Sequence, residues 1–398
     1  MSPRRRRLLI TGVWALFVIA VLPALFHWSA HAVAVGSARS IRVGLANLVA
    51  LLICFAIYRA ERLRLGSTRA LALVFLVFLL SALVNYMHKA TVDHGVNYFT
   101  NMTNLQWQEW MHNGAITFSR VTLPHTYRFL PNAIVRWMEI GGLSYEAARN
   151  FYRLFFGLLI FYALYRYARL FTNYLGAMIA MLVTAAIYPI SFTTYAGQLT
   201  DPASHLSFLL CFIALEIDDF GWFLTAMLIG SLAKEAVLAM AGYYLLFRMR
   251  HKHYRSRSLV AVASCAVAFL GVRALVLHGW VHYQQISGTT LSVISINWHD
   301  PHWPQPFLLT FCALLPFFLL AWKRTPLELK QLVFYLMPVL FLSSLLFSFL
   351  SETRNDMPLV FVLAVITGDY LSREFPGRPN APLTTATYDE TSVLSVGK

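Results

Sequence analysis

The sequence predicts an all-α polytopic membrane protein with about 12 transmembrane helices. Three observations carry this. The 398 residues are 58% apolar and only 13% charged, with a mean hydropathy of +0.59. A soluble domain runs about 45–50% apolar and about 25% charged. The apolar residues gather into runs of span-like length, and the basic residues fall between them on alternate sides. This composition excludes a soluble enzyme, a disordered tail and a small disulfide scaffold. Cys54, Cys211, Cys265 and Cys312 all lie inside apolar runs and form no CxxC or metal-ligand spacing, so they read as reduced thiols.

The elements follow in order. Four arginines at 4–7 precede the apolar run 8–26. A basic stretch before an apolar core resembles a signal peptide, and Ala30-His31-Ala32 mimics a cleavage site. The run is longer than a usual signal core, which favours an uncleaved first span. Further runs fall near 41–58, 70–87, 151–168, 174–192, 204–216, 221–233, 236–247, 258–276, 306–321, 331–350 and 357–371. With a cytoplasmic N-terminus, the inner loops and span ends hold 21 of the 32 Lys and Arg. Every inner loop except the short 216–220 turn then obeys the positive-inside rule. The net charge of +14 is thereby explained by topology, not by nucleic acid. The expected setting is a bacterial inner membrane with both termini cytoplasmic.

The stretch 221–247 decides the parity. Read as one long span, it would put the most basic loop, 248–257, outside. Two short helices broken near Lys234-Glu235 keep that loop inside. Each would be roughly 20 Å long at 1.5 Å per residue, short of the roughly 30 Å hydrocarbon core. Interrupted spans are tolerated where they are buried in protein or line a wet cavity. Lys234 and Glu235 are therefore expected at the floor of a recess opening outward. Pro202 and Pro358 open spans, and Pro316 and Pro338 predict kinks. The chain divides into three N-terminal spans (1–87), an outer-face loop (88–150), a helical core (151–373) and a disordered cytoplasmic tail (374–398).

The outer face carries the unusual residues. Within 88–150, Trp107 and Trp110 suit an interfacial helix ending at Gly114. A second amphipathic stretch runs to Ile140, Gly141-Gly142 breaks it, and Ser144 caps the next helix with Glu146 in its first turn. The 278–305 loop holds His278, His282, His299 and His302, which read as interfacial histidines. The junctions 195–202 and 351–358 place ionisable groups at span ends. They share a face with Lys234-Glu235. Such charges are costly in a membrane and tend to be paired or functional.

At these residues the chain resembles the GT-C polytopic glycosyltransferases, which use lipid-phosphate sugar donors. The resemblance covers roughly 88–371. It rests on the large loop containing Tyr127-Arg128-Phe129-Leu130-Pro131, on Asp201 at a span start, on Leu232-Ala233-Lys234-Glu235, and on Glu352-Thr353-Arg354 followed by Pro358. Two extra spans precede the loop, and Asn101 stands where the family pattern has an acid.

The resemblance implies inverting transfer from a polyprenyl-phosphate sugar to a glycan, lipid or protein acceptor on the outer face. That reaction needs a carboxylate to take the acceptor proton and cations to steady the leaving phosphate. Asp93 is the first candidate base and Glu109 the second; the plainer readings are a solvated loop acid and a polar-face helix residue. Arg128 and Arg354 suit phosphate contact. Arg128 could equally snorkel, and Arg354 could pair with Glu352 or Asp356. Lys234 and Glu235 either serve the site or neutralise each other. Asp201 serves the site or caps its helix. No metal site is required by the sequence, although a divalent cation (Mg or Mn) is compatible with Asp93, Asp201 and a donor phosphate. The alternatives are a transporter or flippase of lipid-linked or small polar substrates, and a non-catalytic relative that binds lipid-linked sugar. Paired half-repeats would mark a transporter, and none is found. Asn101 in place of an acid favours the non-catalytic relative.

Overall fold

The computed structural model describes residues 37–93, 95–96, 101–117, 119, 125–192, 198–249, 254–277, 290–300 and 303–374. The run 8–26, the tail residues 375–398, and His278, His282 and His302 lie outside the described residues. Among the described residues the chain is all-helical and forms no strand; one isolated bridge joins Val96 to Thr103. Each apolar run from 41–58 onward is helical. Five segments are long and apolar enough to cross a membrane: Ser67–Val92, Tyr174–Phe192, Arg255–Ala274, Pro304–Ala321 and Leu327–Phe347.

Helices α1 (Ser37–Leu65) and α2 (Ser67–Val92) form a hairpin about Gly66, whose φ of 76° suits glycine. Two shorter helices follow, α3 (Asn104–Ile116) and α4 (Phe129–Ile140). The Thr103 hydroxyl and the Gln106 side chain cap each other's backbone N–H at the start of α3. Gly114 does not end this helix, which runs on to Ile116. One reason is that Gly114 is buried in the packing of α3. His112 bridges the two helices, 3.0 Å from Asn132 Oδ1 and 2.9 Å from Glu139 Oε2. Trp137 and Ile140 on α4 are more than 70% exposed, as expected of anchors in an interface.

Helix α5 (Tyr145–Ala168) begins at the expected cap, with Ser144 Oγ accepting the Ala147 N–H. It packs against α2, against α6 (Tyr174–Ile187) and against α7 (Thr200–Glu216). Helix α8 (Phe220–Ser231) lies along α7. The break predicted at 234–235 is present. Helix α8 ends at Ser231, Lys234 is extended (φ −160°, ψ 125°), and a 3₁₀ turn occupies Glu235–Leu238 before the short α9 (Ala239–Tyr243).

Helix α10 (Arg255–Leu277) follows; Leu259, Val267 and Leu270 along it are exposed, a lipid-facing pattern. After α11 (Thr290–His299), the next apolar run is split into α12 (Pro304–Cys312) and α13 (Leu315–Ala321), with Pro316 just after the split. Pro338, by contrast, is held inside a helix that is continuous from end to end, α14 (Leu327–Phe347).

Helix α15 (Met357–Glu374) is the centre of the bundle. Every residue from 357 to 368 is buried, the pattern of a helix apolar all round. Its closest neighbour is α6, and the approach depends on two glycines. A Cβ on Gly368 would run into the Gly176 carbonyl oxygen, and one on Gly176 would meet Thr172, Gly368 and Ser372. Small residues let backbones approach where lipid offers no hydrophobic drive between helices. Replacing Gly368 by Leu should therefore cost at least the ~1–3 kcal/mol typical of overpacking. Thermal melting of detergent-solubilised protein should shift down by several degrees, whereas Leu at the exposed Gly44 position should leave it unchanged.

Candidate functional site

Six of the eight candidate residues meet in one buried network at a common end of the bundle. Arg128 sits where the chain enters α4, and its guanidinium grips Glu235 with two bonds, Nε to Oε2 at 2.9 Å and Nη2 to Oε1 at 2.5 Å. This side-by-side geometry is the strong form of the Arg–carboxylate pair. Lys234, one residue earlier, turns the other way. Its ammonium donates to Asp201 Oδ1 at 3.0 Å and to Asn355 Oδ1 at 2.6 Å. Lys234 and Glu235 therefore do not neutralise each other. The extended backbone at Lys234 sends successive side chains to opposite sides.

Asp201 is the junction. Besides Lys234, its second oxygen accepts the Gln198 N–H at 2.8 Å and stands 3.6 Å from Arg354 Nε. It lies within the first turn of α7 and binds the N–H three residues before it, so it does more than cap a helix. Arg354 is 2% exposed and also donates to Glu352 Oε1 at 2.5 Å. Glu352 in turn accepts from Ser348 and from Asn355. Of the two partners weighed for Arg354, Glu352 is the one taken, with Asp201 added; Asp356 is not. His205 on α7 touches the Arg354 carbonyl at 2.9 Å and the Tyr188 hydroxyl at 2.7 Å, which ties the turn to the bundle.

The 351–358 junction can do this because it is not a plain loop. It winds a 3₁₀ turn over Thr353–Asp356 directly into α15. His125, in the short turn before Arg128, completes the wall. Burial, then repulsion by Arg128 and Arg354, holds its imidazole well below the usual range. Burial alone would push the Glu235 carboxyl up, but Arg128 outweighs it and brings the group down to about 2.

Asp93 and Glu109 are placed differently. Asp93 follows the end of α2 and forms a short ion pair with Arg149 of α5, which is fully buried. Arg149 also donates to Gln108 Oε1 at 2.6 Å, and His88 lies 3.8 Å from Asp93. This second network adjoins the first: both Asp93 and Asp201 act electrostatically on Arg153, which lies between them on α5. Glu109 is exposed on α3, one residue after the Gln108 that binds Arg149, and it forms no ion pair among the described residues.

A narrow cleft of about 30 Å³ lies beside Arg153, between Asn85, His88, Tyr188 and Pro202. It has room for about two waters. Asn85 Oδ1 is buried there without a hydrogen bond. Arg149, Arg153, His205, Gln198 and Asn355 were not singled out in the sequence. The readable signal was the pair of arginines four apart at the head of an apolar run.

The carboxylates proposed for a divalent cation do not fit one. Asp93 faces a guanidinium, and Asp201 faces an ammonium and a guanidinium. Among the described residues, no three His, Cys, Asp or Glu converge as a metal-binding group. No protein-family model, curated protein or solved structure matches the chain.

The low Glu235 carboxyl makes stability depend on pH. A group whose pKa is depressed in the folded state contributes stability above its unfolded value, about 4.3 for Glu. That contribution is lost as pH falls toward 2. Wild-type stability should drop between about pH 4.5 and pH 2, and Glu235→Gln should flatten that drop while lowering stability at pH 7. Chemical denaturation at stepped pH measures both.

Proposed function

We propose that the chain is a polytopic membrane glycosyltransferase of the GT-C type. It transfers a sugar from a polyprenyl phosphate to a glycan, lipid or protein acceptor on the outer face of a bacterial inner membrane. One observation carries the reading: Arg128, Lys234 and Arg354, from three distant segments, are gathered at one buried site. Replacing a purely structural buried ion pair by apolar residues is often neutral or stabilising. Three such pairs in one place are a costly way to hold helices together and a direct way to hold an anion.

The proposed topology has about 12 spans with both termini in the cytoplasm. Helix polarity supports it. Helices α5, α7 and α15 all begin at the site, and α5 and α15 carry Arg166 and Arg373 in their last turns. The basic ends lie opposite the site, as the positive-inside rule requires if the site faces outward. The interfacial helices α3 and α4 cover the same end, where a polyprenyl headgroup would lie. In the reaction, the sugar's anomeric carbon passes from phosphate oxygen to acceptor hydroxyl. Charge builds on the phosphate, and cations held in fixed positions stabilise it. Nucleic acid has no part in this reading.

A second reading is a non-catalytic relative that binds lipid-linked sugar. It is favoured by the placement of Asp93 against Arg149 and of Glu109 on the exposed face of α3.

The test is transfer in nanodiscs from a panel of radiolabelled polyprenyl-phosphate sugars, with membrane extract as acceptor. The wild type should transfer from at least one donor. Lys234→Ala and Arg354→Ala should each lose on the order of 10²–10³ in rate, the usual effect of removing one charge-stabilising group. Trp137→Ala, on an exposed face, should stay within a few-fold. Saturable donor binding without transfer would favour the second reading.

A further inference from the structure

Four carboxylates stand at or beside the site, and all four are held by cations: Glu235 by Arg128, Asp201 by Lys234 and Arg354, Glu352 by Arg354, and Asp93 by Arg149. A carboxylate locked to a guanidinium is a weak proton acceptor, because the neighbouring charge favours its ionised form. The free oxygen of Asp93 is also sealed from solvent. Asp356 is the fifth acid. It ends the turn Thr353–Asp356, directly after Asn355, which binds Lys234. Asp356 is only 6% exposed, yet it makes no ion pair or side-chain hydrogen bond among the described residues, and its oxygens are not sealed. The plainer role for an acid just before a helix is to cap it. Asp356 does not do this: Pro358 has no N–H to offer, and no N–H of α15 reaches the carboxyl.

We propose that Asp356 is the base of the transfer reaction, taking the proton of the incoming acceptor hydroxyl. The inference rests on the glycosyltransferase reading. As the acceptor oxygen bonds to the anomeric carbon, its proton passes to the Asp356 carboxylate. The bond from the anomeric carbon to phosphate oxygen breaks, and its electron pair leaves with the polyprenyl phosphate, which the neighbouring cations hold. Asp356 later returns the proton to water.

The electrostatics are consistent with this geometry. Burial pushes the Asp356 carboxyl up to about 7, with Lys234 pulling the other way. A base is most effective when its pKa lies near the working pH. The surrounding groups are accounted for. Arg354 and Glu352, on the same turn, pair with each other. Tyr188 and His205 are bonded to one another beside the turn. Helix α12 bears no acid or basic group, and the charged residues of α14 and α15, Glu328, Lys330, Asp369, Arg373 and Glu374, stand at their far ends.

The test measures transfer and donor binding separately, in nanodiscs, with the polyprenyl-phosphate sugar the wild type uses. Asp356→Asn should lower kcat on the order of 10²–10⁴-fold while the donor Kd stays within about two-fold. Asp356→Glu should recover part of the rate. In the wild type, kcat/KM should fall below about pH 7, and Asp356→Asn should lack that limb. Undiminished transfer by Asp356→Asn would overturn the assignment while leaving the transferase reading intact. A wild-type rate that is flat from pH 5 to 8 would do the same, and needs no variant to fold. No transfer by the wild type from any donor in the panel would overturn both together.

Discussion

Asp201 holds two cations that arrive from different parts of the chain, Lys234 at an interrupted helix and Arg354 in a turn before the core helix. The rest of the site depends on this junction. An unpaired carboxylate in so buried a position would cost several kcal/mol. Satisfied from both sides, it fixes the start of α7, the break after α8 and the entry to α15 relative to one another. The interruption at Lys234-Glu235 is thus part of the same construction. Ending the helix at Ser231 lets consecutive residues reach opposite partners, Lys234 to Asp201 and Glu235 to Arg128. Arg128 in turn brings the loop carrying α3 and α4 down onto the bundle.

Charge in the site is nearly balanced without a ligand. Three cations face three carboxylates, and each pair is close enough to weaken the hold of its members on anything else. An incoming phosphate would compete with those carboxylates rather than fill an empty positive hole. On the proposed reading this would favour a bulky anion over simple ions, because only a ligand with contacts elsewhere offsets the exchange. The apolar neighbourhood of the interfacial helices can supply such contacts to an isoprenoid chain.

Much of the helical plan was legible in the sequence, for definite reasons. Apolar runs and Pro or Gly breaks mark helices, and the cap at Ser144 and the break at Lys234-Glu235 stand where the residues put them. The break was readable because the parity of 221–247 was constrained by the basic loop after it. Gly114 was a poor stop signal, since glycine buried in a helix packing contact reads the same as one past a helix end. Convergence of Arg128, Asp201, Lys234, Glu235, Glu352 and Arg354 was legible only as a shared sidedness. The pairing was not. Lys234 meets a residue 121 positions away, and Asp93 one 56 positions away. Such partners follow from packing, which local pattern does not encode. Asp356 was legible only as a partner for Arg354, and Arg354 pairs with Glu352 and Asp201 instead.

The central claim is that the buried cations at this end of the bundle receive a lipid-linked phosphate. Cryo-electron microscopy of the protein in nanodiscs with a polyprenyl phosphonate sugar, which cannot be cleaved, tests it directly. We expect the phosphonate within hydrogen-bond reach of Arg128, Lys234 or Arg354, with the isoprenoid chain leaving between the interfacial helices and the bundle. A phosphonate bound elsewhere, with the three ion pairs intact, would contradict it.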